Sequence, residues 1–339
     1  MHTNKTMKVI KAFGPQDLRI AEAPIPEPKP GHVRIRVRAS GICGSDKWIW
    51  NVKGETENIA GHEVAGEVDA LGAGVFGLAV GDRVMVNNVV GCGECPECRA
   101  GAFVLCPGWN GMNDVNNGFG EYVVAPERNC MRLLPGLDFI DGALIMDNWG
   151  TPFGGIKRVK IQPGMDVLVL GCGPIGQAAI GLCRANGAYV MACDPIPFRR
   201  EMALKNGATK VFKPEDLPKA AKDANKGAGV HVVMECSGCG PAYDTAMQCL
   251  RIGGNLVAIG EHAEFTFNST DHAVRRSLSI TGSWYATMPQ AAEVMFLAQI
   301  GRIQLKSFLT HTVKLEDVPK MFKSIMELDE GILKCVITM

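Results

Sequence analysis

Residues 166–194 read DVLVLGCGPIGQAAIGLCRANGAYVMACD, and this stretch decides the fold. DVLVL is a short, uninterrupted apolar run of the kind buried within a parallel sheet. It leads directly into Gly171, Gly173 and Gly176, spaced G-x-G-x-x-G, and then into a segment with helical periodicity. Glycines in these places allow a tight turn, let a pyrophosphate approach backbone N–H groups, and let the helix pack closely on the strand. Pro174 and Ile175 complete the loop at the helix start. YVMAC supplies a second strand, and Asp194 ends it 18 residues after Gly176. A carboxylate there accepts hydrogen bonds from adenosine ribose hydroxyls and repels a 2′-phosphate, so NAD is expected over NADP. Arg199 and Arg200 follow on a predicted helix. Arg199 is the candidate for cofactor contact, although a solvated helix face is the plainer reading of the pair.

Working outward, TKVF, HVVMEC, NLVAIG and LSITGS add four more short apolar strands, most of them separated by helical patterns such as PFRREMALKNGA. Strand and helix alternating in this way predict an α/β fold with a doubly wound, six-stranded parallel sheet. Upstream of about residue 160 the texture differs. MKVIKAF, LRIAEAPIP and HVRIRVRAS alternate apolar and polar positions, broken by Pro24, Pro26, Pro28 and Pro30, and EVAGEVDALG, GDRVMV and GEYVVAP continue the style. These predict short antiparallel strands. After Ser283, MPQAAEVMFLAQIGRI predicts a helix; THTVKL, a helix near EDVPKMFKSIMEL and the strand KCVITM then return the chain to the first domain. The expected organisation is a β domain of residues 1–149 and 288–339, interrupted by a dinucleotide-binding domain of residues 150–287.

The chain has 339 residues, 21% charged and 47% hydrophobic, enough for two cores. Lys plus Arg and Asp plus Glu number 35 each, so nothing in the total attracts nucleic acid, an acidic membrane or a polyanion. A small neutral partner is expected, with no nucleic acid and no membrane. The opening MHTNKTMKVIKAFG has no long apolar run, and no stretch of eighteen uncharged apolar residues occurs, so the cytoplasm is expected. Thirteen cysteines, an odd number, fit a reducing compartment in which thiols stay free or bind metal.

Four of those cysteines fall in GCGECPECRAGAFVLC, residues 91–106, with the spacing C-x2-C-x2-C-x7-C: Cys92, Cys95, Cys98 and Cys106. Gly91, Gly93, Gly101 and Pro96 permit a tight loop that brings four thiolates around one zinc at roughly 2.3 Å each, a closed and therefore structural site. Clustered free thiols and an iron–sulfur cluster are the alternatives. Upstream, GICGSD and AGHEVAG supply Cys43, His62 and Glu63: a thiolate, an imidazole and a carboxylate, the mixed set expected where a zinc keeps an exchangeable position. A buried cysteine and a satisfied core histidine are the bland alternative.

GICGSD, AGHEVAGEV, the four-cysteine lobe, GFGEYVVAP and VLVLGCGPIG follow one another in an order that resembles the zinc-containing medium-chain dehydrogenase/reductase family, in its alcohol, polyol and threonine dehydrogenase branch. The resemblance runs from about residue 7 to the end. It implies a GroES-like β catalytic domain interrupted by a Rossmann domain, an active site in the cleft between them, NAD, and two zinc ions per chain, one catalytic and one structural. It implies that Cys43 and His62 are catalytic zinc ligands and that Glu63 is the acid beside the metal. The remaining ligand falls sixteen residues before Pro163, at Asp147, for which a helix cap or turn residue is the alternative. Asp46 matches the carboxylate that orients the ligand histidine. Ser45 matches the hydroxyl that receives the alcohol proton; relatives commonly carry a histidine three residues on, where Trp48 stands here, so a water chain is expected beyond Ser45. Thr151 matches a residue packed near the nicotinamide, and Lys334 one that contacts cofactor phosphate.

The substrate pocket is expected among residues 45–50, 87–90, Asn110 and 148–151. Its tryptophans and asparagines suit a polyol, sugar-like or amino alcohol better than ethanol, although loop asparagines are often turn formers. The expected function is zinc- and NAD-dependent interconversion of a secondary alcohol and its ketone by a homo-oligomer, dimer or tetramer. A zinc-ribbon binding protein on a catalytically inert dehydrogenase fold is the alternative, and the absence of a basic stripe weighs against it.

Overall fold

A computed structural model of the chain describes residues 6–109, 115, 117–217, 221, 224–261, 263–327, 329 and 331–339. Two compact units divide it: Met1–Met146 with Thr287–Gln299 and Leu309–Met339, and Asp147–Ala286 with Ile300–Phe308.

In the first unit β1 (Thr6–Gly14) and β2 (Asp17–Pro24) form an antiparallel pair. The alternating sequence of β3 (His32–Ile42) places Val33, Ile35, Val37 and Ala39 at 0% exposure, while Arg34 and Arg38 pair with Asp69 and Glu67 of β4 (Glu63–Leu71). This is the two-residue period of a half-buried strand. β5 (Arg83–Val86), β6 (Tyr122–Pro126) and β7 (Cys130–Arg132) extend the sheet.

The second unit carries β8 (Asp166–Leu170), β9 (Tyr189–Cys193), β10 (Lys210–Phe212), β11 (Val230–Glu235), β12 (Leu250–Ala258) and β13 (Ser279–Gly282). All six are parallel, in the order β10-β9-β8-β11-β12-β13. The strand order reverses between β8 and β11, the switch point where such sheets bind ligands. Val167, Leu168 and Val169 are fully buried, which is why β8 reads as a continuous apolar run rather than an alternating one.

The chain then returns through the helix Met288–Gln299, β14 (His311–Val313), the helix Val318–Met326 and β15 (Cys335–Thr338). The seven-stranded sheet of the first unit runs β14-β15-β3-β4-β5-β7, with β6 also on β3. Its register matters for the site. Gly41 on β3 lies opposite Glu63 on β4, and Ile42 lies opposite Cys335 on β15. Cys43, His62 and Lys334, each next to one of these strand ends, are thereby gathered at one corner.

Two features depart from the sequence reading. Residues 147–149 and 300–308 belong to the second unit, because Trp149 donates Nε1–H to Leu305 O at 3.0 Å and packs its ring 5.7 Å from that of Phe308. The stretch before β8 is helical where no helix was expected: Phe139–Leu144, a π-helical Ile145–Trp149, then Gly150–Val159. A capping box starts it, with Asp138 Oδ1 accepting from Asp141 N at 2.9 Å and Asp141 Oδ2 from Asp138 N at 3.0 Å. Glycines and Pro152 mask the helical pattern that follows. Among the described residues no helix is long and apolar enough to cross a membrane.

Candidate active site

One donor atom each from Cys43, His62 and Glu63 lie within 4.8 Å of one another. Their chemistry fits a transition-metal ion: one soft thiolate, one imidazole and one carboxylate. Asp46, buried at 0% exposure, supports the set twice. Its Oδ2 accepts from Cys43 N at 2.9 Å, and its Oδ1 stands 3.2 Å from His62 Nδ1. A carboxylate at Nδ1 holds that nitrogen as the protonated one and leaves Nε2 as the metal donor.

Glu63 is also fixed from a second side. Lys334, 2% exposed, donates to Glu63 Oε1 at 2.5 Å and to Ile42 O at 2.9 Å. A phosphate contact was expected of Lys334; its ammonium is buried and bonded to these oxygens. Gly41 makes room for the carboxylate, since a Cβ there would fall 1.8 Å from Glu63 Oε2.

Asp147 sits in the π-helical stretch, a local widening often found at functional sites. Its Oδ1 accepts from Thr151 Oγ1 at 3.0 Å. The Thr151 hydroxyl in turn accepts from Tyr285 N at 3.1 Å, and Thr151 O accepts from Ser283 Oγ at 2.6 Å. Expected beside the nicotinamide, Thr151 thus has its hydroxyl turned to Asp147. No sequence pattern points to Tyr285 or Ser283.

The four-cysteine loop closes on itself. Cys92 Sγ lies 4.0 Å from Cys98 Sγ and Cys95 Sγ lies 3.7 Å from Cys106 Sγ. Four sulfurs at about 2.3 Å from one zinc would stand roughly 3.8 Å apart, so the residues fit the ion. Backbone amides add to the fit: Cys92 N donates to Cys106 Sγ at 3.3 Å and Cys98 N to Cys95 Sγ at 3.4 Å. The N–H groups of Glu94 and Cys95 pull the Cys92 thiol down to about 6, whereas burial pushes Cys98 up to about 12. Ionising Cys98 beside Cys92 therefore calls for a cation among the sulfurs. Gly91 is required, because a Cβ would meet Cys98 Sγ at 2.4 Å.

In the second unit Gly171 has φ +83°, and a Cβ on Gly176 would lie 1.9 Å from Gly171 O. A Cβ on Gly173 would meet nothing within 4 Å, so open space adjoins the start of the helix Pro174–Ala185, with Pro174 and Ile175 in its first turn. This arrangement fits a pyrophosphate. Asp194, 3% exposed, accepts from Cys172 N and from Ile196 N, each at 2.8 Å. Each oxygen keeps a further lone pair for a ribose hydroxyl. Arg199 Nη1 stands 4.0 Å from Asp194 Oδ2, while Arg200 is committed to Asp194 O and Pro195 O.

The expected substrate pocket is only partly borne by these side chains. Trp50 is core, its ring 5.6 Å from that of Phe322. Asn87 Oδ1 accepts from Val89 N at 2.9 Å, a turn contact. Asn110 lies outside the described residues. Ser45 and Trp48 are exposed, and Asn148, 1% exposed, keeps Nδ2 without a hydrogen-bond partner among the described residues.

Residues 29–135 match the alcohol dehydrogenase GroES-like domain and residues 174–299 the zinc-binding dehydrogenase domain. The chain is 32% identical over 331 residues to L-threonine 3-dehydrogenase of Pyrococcus horikoshii, covering 92% of each. It is 30% identical to probable D-xylulose reductase A of Aspergillus fumigatus, covering 92% of this chain and 91% of that one. A solved short chain alcohol dehydrogenase from E. coli CFT073, complexed with NADH, superposes with a TM-score of 0.88 at 26% identity, over 99% of this chain and 100% of that one.

Proposed function

The chain belongs to the zinc-containing medium-chain alcohol dehydrogenase family, and we propose that its zinc- and NAD-dependent interconversion of alcohol and ketone acts on a small polyol, sugar-like or amino alcohol. The observation that carries the reading is the convergence of Cys43, His62 and Glu63. The named activities of the threonine and xylulose relatives support the substrate class.

In this reading Cys43, His62 and Asp147 hold the catalytic zinc, Glu63 is the adjoining acid, and Cys92, Cys95, Cys98 and Cys106 hold a structural one. When bound, the zinc supplies positive charge that acidifies a substrate hydroxyl, and NAD supplies the hydride acceptor. Asp46 keeps His62 in one tautomer. Ser45 takes the substrate proton; it lies on the surface of the first unit, and without a histidine at position 48 the proton passes from it to water. Lys334 holds the Glu63 carboxylate in place. Gly171, Gly173 and Gly176 admit the pyrophosphate, and Asp194 accepts from the ribose diol with Arg199 at its flank.

The first unit with its return segment is the catalytic domain and the second the NAD domain. The enzyme acts in the cytoplasm as a homo-oligomer; β13, at one end of the six-stranded order with Ile280 42% exposed, is an edge that a second copy could extend. The test is a screen of polyols, sugars and hydroxy amino acids read by NADH absorbance. Turnover confined to simple primary alcohols, or absent with purified zinc-loaded protein, would overturn the substrate class.

A further inference from the structure

We propose that Thr151 is a positioning residue for Asp147, fixing which carboxylate oxygen meets the cation through a hydroxyl that the Tyr285 backbone clamps from behind. The inference rests on the reading of Asp147 as a zinc ligand. A hydroxyl has one proton to give. Here Tyr285 N–H occupies an acceptor position on Thr151 Oγ1 at 3.1 Å and Asp147 Oδ1 receives the proton at 3.0 Å, so the direction of donation is set. Thr151, Ser283 and Tyr285 are all buried, at 3%, 6% and 3% exposure, and Ser283 Oγ pins the Thr151 carbonyl at 2.6 Å.

Two details set this apart from ordinary helix packing. A threonine within a helix commonly turns its hydroxyl to the carbonyl four residues back; this one turns to the side chain four residues back. Tyr285 holds φ at +53°, a left-handed conformation that a tyrosine rarely adopts. With Oδ1 engaged by the hydroxyl, Asp147 is weighted to bind through Oδ2 alone. The same bond spends the hydroxyl proton, so Thr151 has none to give a nicotinamide carboxamide.

The test uses full-length, zinc-loaded protein and the variants Thr151→Val, Thr151→Ala and Thr151→Ser. Dipicolinate is added and the zinc retained per chain is followed by elemental analysis, with melting curves to verify folding. Valine and alanine should each release one of two zincs at least tenfold faster than wild type, while the other stays; serine should release it at the wild-type rate. Cobalt in the labile site should change its visible spectrum in the valine and alanine variants and not in the serine one. Should valine prevent folding, alanine is read instead. Wild-type zinc retention in the valine and alanine variants, or serine behaving as they do, overturns the clamp. Asp147→Ala in parallel separates the failures: zinc lost there but kept in Thr151→Val removes the clamp alone, and zinc kept in both removes Asp147 as a ligand.

Discussion

Lys334 and Glu63 form a buried ion pair at 2.5 Å, with side chains 2% and 0% exposed. Removing one partner strands the other charge, at a cost of about 3–5 kcal/mol. Lys334→Met should therefore lower stability by that amount in urea unfolding of the zinc-loaded protein, and Lys334→Met with Glu63→Gln should recover most of it. Equal stability of Lys334→Met and wild type would show that the pair is not held as described.

Two metal sites of different character predict two different losses. Asp147→Ala should lower the zinc content from two per chain to one and abolish turnover, with the melting temperature little changed. Cys98→Ser should instead lower solubility and melting temperature, because a closed four-sulfur site acts on folding. Elemental analysis beside calorimetry separates them, and a wild type with fewer than two zincs when freshly purified and active defeats the assignment.

Asp194 also anchors Cys172 N and Ile196 N. Asp194→Ala should raise KM for NAD at least tenfold and narrow the preference over NADP, since repulsion of the 2′-phosphate goes with the carboxylate. Initial rates with both cofactors check this; a wild type that prefers NADP contradicts it.

His231 supplies a pH dependence. Its Nδ1 accepts from Asp166 N at 3.0 Å, and burial, helped by Arg251 and opposed by Asp166, holds the imidazole below its ordinary 6.5. The folded chain then binds fewer protons than the unfolded one between that lowered value and 6.5. The contribution is whole above 6.5, declines as pH falls below it, and levels off beneath the folded value. Melting temperatures between neutral and mildly acidic pH should fall less steeply for His231→Asn; parallel slopes would rule this out.

What could be read from the sequence was what short-range order encodes. The six strands of the parallel sheet, the glycine loop and the cysteine spacing are each written within about thirty residues, where a period or a turn requirement leaves its mark. Lys334 and Glu63 stand 271 residues apart and Thr151 and Tyr285 134 apart; only strand register and packing bring them together. Trp50 and Asn87 mislead for the opposite reason. A tryptophan serves a core as well as a pocket, and an asparagine serves a turn as well as a ligand.

The π-helical stretch Ile145–Trp149 makes the position of Asp147 a matter of counting. A π turn holds one residue more than an α turn, so deleting a single residue would let the helix relax to regular winding. The flanking turns, Phe139–Leu144 and Gly150–Val159, would keep their places, and the missing residue would be absorbed within the stretch that carries Asp147. The side chains brought to the donor position would then be those of Met146 or Asn148, a thioether or an amide in place of a carboxylate. A single codon lost here would recast the electronics of the site while leaving every strand intact.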